Sequence, residues 1–223
     1  MTYKTVRTGR FLSRPNRFIA MVDIDGVATV CHVKNTGRCK ELLTPDCTVV
    51  LAAAENPARK TPYDLIAVYK GDRLINMDSQ APNAVAAAYL ADRFPQATIR
   101  REVTYGDSRF DFHIQNGGEE WFVEVKGCTL EIDNIGYFPD APTLRGVKHI
   151  QHLMRAVGEG YKTAVLFIIQ MEGIAAIRPN DSTHPAFGEA LRAAADAGVE
   201  VWAVDCTVTP DTLTHGNGVP VQL

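Results

Sequence analysis

Arg109-Phe110-Asp111-Phe112-His113-Ile114 and, soon after it, Trp121-Phe122-Val123-Glu124-Val125-Lys126 are the stretch on which the fold turns. In a strand, successive side chains point to opposite faces. That period sets Phe110, Phe112 and Ile114 on one face and Asp111 with His113 on the other. It also sets Glu124 and Lys126 together, opposite Val123 and Val125. As antiparallel neighbours, the two strands would bring Asp111 beside Glu124 and Lys126. Two carboxylates that close repel each other unless a proton or a cation lies between them, and Mg²⁺ takes one or two protein carboxylates plus water and phosphate oxygens. The pattern therefore predicts a divalent-metal site, with Asp111 and Glu124 as ligands. Lys126 supplies positive charge for an attacking water or for charge developing on phosphorus.

Around this centre, runs near 97–104, 108–114 and 121–126 read as strands. An Ala-rich helix over 83–94, with Pro82 near its start, precedes them. A helix near 143–157 and an apolar strand over 164–169 follow. The order is α-β-β-β-α-β, and a helix over 185–197 and a strand over 199–204 complete an α/β layer. Asp-x12-Glu-x-Lys within this order resembles the core of the PD-(D/E)XK nuclease superfamily, although Phe110 stands where that motif often has proline. Glu102, on the preceding strand, is a candidate third carboxylate for the metal and the chemistry. Arg145, Lys148, His149 and His152 share one helix face by their spacing, and that face is expected to meet phosphate. Gly136-Tyr137-Phe138-Pro139-Asp140 reads as a turn-rich loop beside the site.

Toward the N-terminus, Phe18, Ala20, Val22 and Ile24 alternate with their neighbours, Asp25-Gly26 makes a turn, and Val27 to Val33 completes a hairpin. A short helix through Leu43 follows Asn35-Thr36-Gly37, and strands are expected over 48–53, 63–69 and 73–77. Five short strands suggest a small OB-like barrel. The expected helix then falls between the second and third strands, whereas an OB-fold usually places one between the third and fourth. Residues 1–80 are accordingly read as an OB-fold-like nucleic-acid-binding domain and residues 81–223 as a nuclease-like domain, an α/β (α+β) chain overall.

Net charge is −3, but it is unevenly spread: residues 1–60 hold ten Lys or Arg against five Asp or Glu, while the remainder holds 13 against 21. Lys4, Arg7, Arg10, Arg14 and Arg17 meet no acidic residue in the first 22 positions and are interleaved with Phe11 and Phe18, a footprint suited to phosphate. Arg10, Arg14, Arg17, Lys34 and Arg38 are the expected nucleic-acid contacts here, with Arg145, Lys148 and His149 downstream. Five cysteines without a Cys-x-x-Cys pair point to a reduced cytoplasmic compartment and away from structural zinc. The longest apolar run, Ala84 to Ala91, is far short of the ~20 residues that cross a bilayer, so no membrane partner is expected. P-loop, dinucleotide-binding, nucleophile-elbow and His-Glu-x-x-His motifs are absent.

Asn35-Thr36-Gly37, Tyr105-Gly106-x-Ser108-Arg109-Phe110-Asp111-Phe112, Glu124-Val125-Lys126-Gly127-Cys128-Thr129-Leu130, Gly136-Tyr137-Phe138-Pro139-Asp140-Ala141 and Arg145-Gly146-x-Lys148-His149 together resemble the sugar fermentation stimulation protein A family in order and spacing. The resemblance implies an N-terminal OB-like domain, a nuclease-like C-terminal domain and DNA binding largely without sequence specificity. It carries the superfamily's metal positions onto Asp111 and Glu124, its lysine onto Lys126, and Glu102 as an upstream acid, with Mg²⁺ or Mn²⁺ as cofactor. Two activities stay open: a metal-dependent DNA endonuclease or phosphodiesterase, and a transcriptional regulator of sugar (maltose) metabolism whose nuclease-like site is silent. DNA is the expected partner, and a homodimer is left open.

Overall fold

The computed structural model describes residues 1–223 apart from Thr36, Arg38 and Pro57. Six strands form its first sheet: β1 (Val6–Asn16), β2 (Ile19–Ile24), β3 (Val27–Val33), β4 (Thr48–Ala53), β5 (Tyr63–Lys70) and β6 (Arg73–Asn76), in the order β3-β2-β1-β4-β5-β6. A parallel pairing of His32 with Asp64 and Val33 with Leu65 joins β3 to β5 and closes the first five strands into a barrel. Asp25 and Gly26 both have positive φ, which matches the twist of the β2–β3 hairpin.

The basic segment that holds Arg7, Arg10 and Arg14 is strand β1, seated centrally between β2 and β4. Its alternation is obscured by register shifts between Phe11 and Ser13 and between Ser13 and Asn16. Gly9 is required on this strand because a Cβ there would lie 2.6 Å from Val22 Cγ1. Counting β1 moves the awkward connection to its usual place between the third and fourth strands. That connection carries turns rather than the expected helix: Leu42 and Leu43 both donate their N–H to Cys39 O. So short a helix is costly to nucleate, and Thr44 is biased away from helical angles by Pro45.

The rest of the chain runs α1 (Ala81–Arg93), β7 (Thr98–Tyr105), β8 (Ser108–Asn116), β9 (Glu119–Cys128), β10 (Leu130–Ile132), β11 (Ile135–Phe138), α2 (Leu144–Gly158), β12 (Lys162–Ile169), β13 (Ala176–Pro179), α3 (Pro185–Asp196), β14 (Glu200–Val208) and β15 (Leu213–Gly218). The α-β-β-β-α-β order is present, with the β10–β11 hairpin inserted before α2. A six-stranded sheet in the order β15-β14-β12-β9-β8-β7 forms the middle layer. Val85 and Leu90 of α1 share one core with Phe112, Ile114 and Val123, and Ile150 and Leu153 of α2 share the opposite core with Phe110, Phe122 and α3 residues. The segment read as a turn-rich loop forms β11 as far as Phe138, paired in parallel with β13.

One expectation is reversed within β8. Phe112 and Ile114 lie on the α1 side, but Phe110 packs on the α2 side, 5.6 Å from Tyr105 and 5.2 Å from Phe122 between ring centroids. The strict period of two therefore breaks at Asp111. Asp111 turns toward α1, and His113 stands instead against Phe122 on the α2 side.

Buried polar groups join the barrel to the sheet. Asp78 is fully buried, and its Oδ2 accepts from Tyr3 Oη at 3.1 Å and lies 2.8 Å from Lys34 Nζ, while its Oδ1 accepts from the Gln80 N–H at 2.9 Å. Gln170 Nε2, at the end of β12, donates to Asn76 Oδ1 and to Asp78 O. Burial and the neighbouring Asp78 charge hold the Tyr3 phenol well above its ordinary range. Asp78→Ala strands these donors and leaves Lys34 without its carboxylate, so it should lower unfolding free energy by about 3–5 kcal/mol. Urea denaturation checks this, and a loss below about 1 kcal/mol would show that the junction does not depend on the buried pair.

Candidate functional site

The β8–β9 ladder pairs residues as far as Phe112 with Val123 and then stops, while β9 continues alongside β12 to Cys128. Beyond that point the strands are joined through a side chain: Asp111 Oδ2 accepts the Val125 N–H at 2.8 Å. Asp111 Oδ1 accepts from Asn83 Nδ2, in the first turn of α1, at 2.9 Å. The β7–β8 ladder also skips this level, pairing Arg101 with Phe112 and Val103 with Phe110. Glu102, at the skipped position, has φ 55°, a strained value for a non-glycine residue.

Glu124 occupies the fork and is 3 % exposed. Its Oε1 accepts from Lys126 Nζ at 2.6 Å and is hydrogen-bonded to His149 Nδ1, whereas its Oε2 is buried with no partner among the described residues. Burial alone would push its carboxyl upward. Hydrogen bonding to His149 and the charge and hydrogen bond of Lys126 outweigh burial and hold Glu124 below the usual glutamate value. Asp111 shifts the other way: burial, reinforced by the Glu124 charge, raises its carboxyl despite the Val125 and Asn83 hydrogen bonds.

These groups line a cleft of about 570 Å³. Asn35 and Gly37 of the barrel border it on one side, Phe138 to Thr143 on another, and Arg109, Arg145 and Gln170 also face it. Among the described residues, no three His, Cys, Asp or Glu side chains gather as a metal-binding set. Glu102 lines the cleft but lies 3.6 Å from Arg109 with its side chain 61 % exposed. Asp111, Glu124 and the unpartnered Oε2 nonetheless suit a small hard cation, which draws its remaining ligands from water and phosphate. An uncompensated buried carboxylate oxygen is costly, and a cation would satisfy it.

The other expected contacts are dispersed. Arg145 lines the cleft and donates from Nε to His149 Nε2 at 3.3 Å. Lys148 pairs with Asp107 at 3.0 Å, and His152 is hydrogen-bonded to Ser108. Lys34 is committed to Asp78, and Arg10 bridges Asp23 and Asp46. Arg14 donates to the carbonyls of Arg17 and Asn35, and Arg17 lies over the Phe18 ring. Arg38 falls outside the described residues. Asn83 is a site residue that strand spacing does not reveal, because it comes from the helix before the motif; its only sequence signal is its place after Pro82 at a helix start.

A family profile described as the sugar fermentation stimulation protein RE domain matches residues 80–212, and one described as the SfsA N-terminal OB domain matches residues 12–77. A sugar fermentation stimulation protein homolog of Desulfitobacterium hafniense (strain Y51) is 54% identical over 225 residues, spanning 100% of this chain and 99% of the relative. The chain belongs to the sugar fermentation stimulation protein family. Its family relative from Ruminiclostridium cellulolyticum is 47% identical over 226 residues, covering 100% of both chains. Pyrococcus furiosus SfsA, solved in complex with Ca²⁺, superposes with a TM-score of 0.89 at 25% identity, covering 100% of this chain and 98% of that one. The mixed α/β architecture with its closed N-terminal barrel is therefore the architecture of this family.

Because the folded pKa of Asp111 lies above its unfolded value, its ionised form destabilises the cation-free fold, and the penalty fades as pH falls through the folded pKa. Asp111→Asn keeps an acceptor for Val125, and a flip of the Asn83 amide restores the second hydrogen bond. The variant should raise the melting temperature at pH 7, by a margin that shrinks toward acid pH. A lower melting temperature at pH 7, or a gain independent of pH, would contradict the assignment.

Proposed function

We propose that the fork between β8 and β9 binds a divalent cation, Mg²⁺ or Mn²⁺ in the cell, and that the cleft engages the phosphodiester backbone of DNA and cleaves it. The observation that carries this reading is the buried Glu124 Oε2, without a partner among the described residues, beside Asp111 and Lys126. The Ca²⁺ complex of the Pyrococcus furiosus relative supports the cation. When bound, the cation polarises the phosphodiester and eases deprotonation of the attacking water. Asp111 and Glu124 would hold it. Lys126, steered by Glu124 Oε1, donates toward the attacking water or toward the phosphate oxygens as charge develops there. Arg145 at the cleft wall is placed to draw in phosphate, whereas Lys34 and Arg10 spend their charge on carboxylates. In the cleft Arg109 and Lys126 each stand beside a carboxylate, so DNA contact is expected to run through the backbone, without sequence specificity and falling steeply with salt. No helix among the described residues is long and apolar enough to cross a membrane, and we place the protein in the cytoplasm.

A second reading has its own support: both Asp111 oxygens already accept hydrogen bonds, which suits a DNA-binding regulator whose site holds a cation or phosphate without turnover. Supercoiled and single-stranded DNA incubated with Mg²⁺ or Mn²⁺ separates the two. Wild type should cut, Lys126→Ala should cut about 10²–10³-fold more slowly, as for loss of one transition-state donor, and Asp111→Asn should be inactive. Retention of DNA without cutting would transfer the conclusion to the regulator, and equal cutting by both variants would remove the site.

A further inference from the structure

Glu124 is asymmetric: among the described residues two donors meet Oε1 and none meets Oε2. Lys126 lies two residues along the same strand, so by itself it leaves the carboxylate free to turn about its terminal bond. His149 comes from α2, a separate element packed on that face of the sheet, and its second direction of contact removes this freedom. The imidazole is itself constrained. Arg145 Nε donates to His149 Nε2, and a guanidinium has no lone pair to offer, so Nε2 is the accepting nitrogen and the ring proton sits on Nδ1, facing Glu124. The turn that carries both residues is pinned by Thr143, whose Oγ1 accepts the Gly146 N–H at 3.0 Å.

We propose that His149, oriented by Arg145, is a positioning residue that holds Glu124 so that Oε2 is its free ligand atom for a divalent cation. The proposal rests on the cation-site reading above and changes the part expected of His149: it acts through Glu124 rather than on phosphate. Second partners of this kind fix ligand orientation at metal sites, and their loss weakens metal affinity about 10–100-fold.

Calorimetric titration of the full chain with Ca²⁺, in the absence of nucleic acid, tests it. His149→Leu should weaken Ca²⁺ binding about 10–100-fold. His149→Asn, which can donate from its side-chain amide close to the place of Nδ1, should restore most of the affinity. Arg145→Met, at an exposed position, should weaken binding while leaving the melting temperature near that of wild type. Binding by His149→Leu as tight as wild type, or tighter, overturns the proposal, since His149 would then be idle or a competitor for Glu124. Failure of His149→Asn to rescue, in a variant that melts with wild type, overturns it as well. Should His149→Leu not fold, unchanged affinity in Arg145→Met overturns the relay. A wild-type chain that takes up no Ca²⁺ defeats the cation-site reading and the proposal together, whereas undiminished uptake by His149→Leu defeats the positioning role alone.

Discussion

A carboxylate standing in for a backbone partner organises this molecule. Where the β8–β9 ladder ends, Asp111 Oδ2 takes the Val125 N–H that a neighbouring carbonyl would otherwise receive. The backbone donor stays satisfied, as buried donors must, yet the strands need not remain in register contact. The edge of β9 from Glu124 to Cys128 is thereby opened on the β8 side while β12 still secures the other side. The same level carries the strained Glu102 and the reversal that sends Phe110 to the α2 core and Phe112 to the α1 core. Two hydrophobic cores thus grip the chain immediately on either side of a polar gap.

Electrostatics inside the gap follow from its burial. Glu124 is kept ionised by His149 and Lys126, whereas Asp111, with Glu124 close by and only neutral donors on its own oxygens, is driven toward its protonated form. Lys126 alone leaves the pair poorly satisfied, because Oε2 has no donor among the described residues and burial raises the Asp111 carboxyl. A buried carboxylate pair that costs the fold stability is the kind of strain that functional sites commonly carry. The barrel contributes by enclosing the cleft through Asn35 and Gly37, and the Asp78 network, reaching from Tyr3 to Gln170, fixes how the barrel meets the sheet.

Much of this was legible in the residues. The apolar periodicity of β8, β9, α2 and β12 is strong because each is buried on at least one face, and the spacing of Asp111, Glu124 and Lys126 pointed to three residues that line one cleft, though not to the parting of the strands between them. The parts that escaped did so for physical reasons. Strand β1 is rich in Arg, Gly and Ser and broken by bulges, so its period is blurred, and only Phe11 is buried on it. Strand β15, Leu-Thr-His-Gly-Asn-Gly, has low strand propensity and is held by its edge pairing to β14. The face reversal at Asp111 cannot be read from a period-two pattern, because it arises from the side-chain hydrogen bond that replaces the ladder. Asn83 and the bond from His149 to Glu124 are tertiary contacts between elements distant in sequence, and spacing along one element carries no trace of them.

Asp111 and Glu124 Oε2 are proposed to form one cation site at the fork. Anomalous diffraction from crystals soaked in Mn²⁺ addresses it directly. A single strong Mn²⁺ peak is expected in the cleft, within coordination distance of Glu124 Oε2 and an Asp111 oxygen, with Oε1 still held by Lys126 and His149. A peak elsewhere, or an empty fork in crystals that bind Mn²⁺ at other positions, would contradict it.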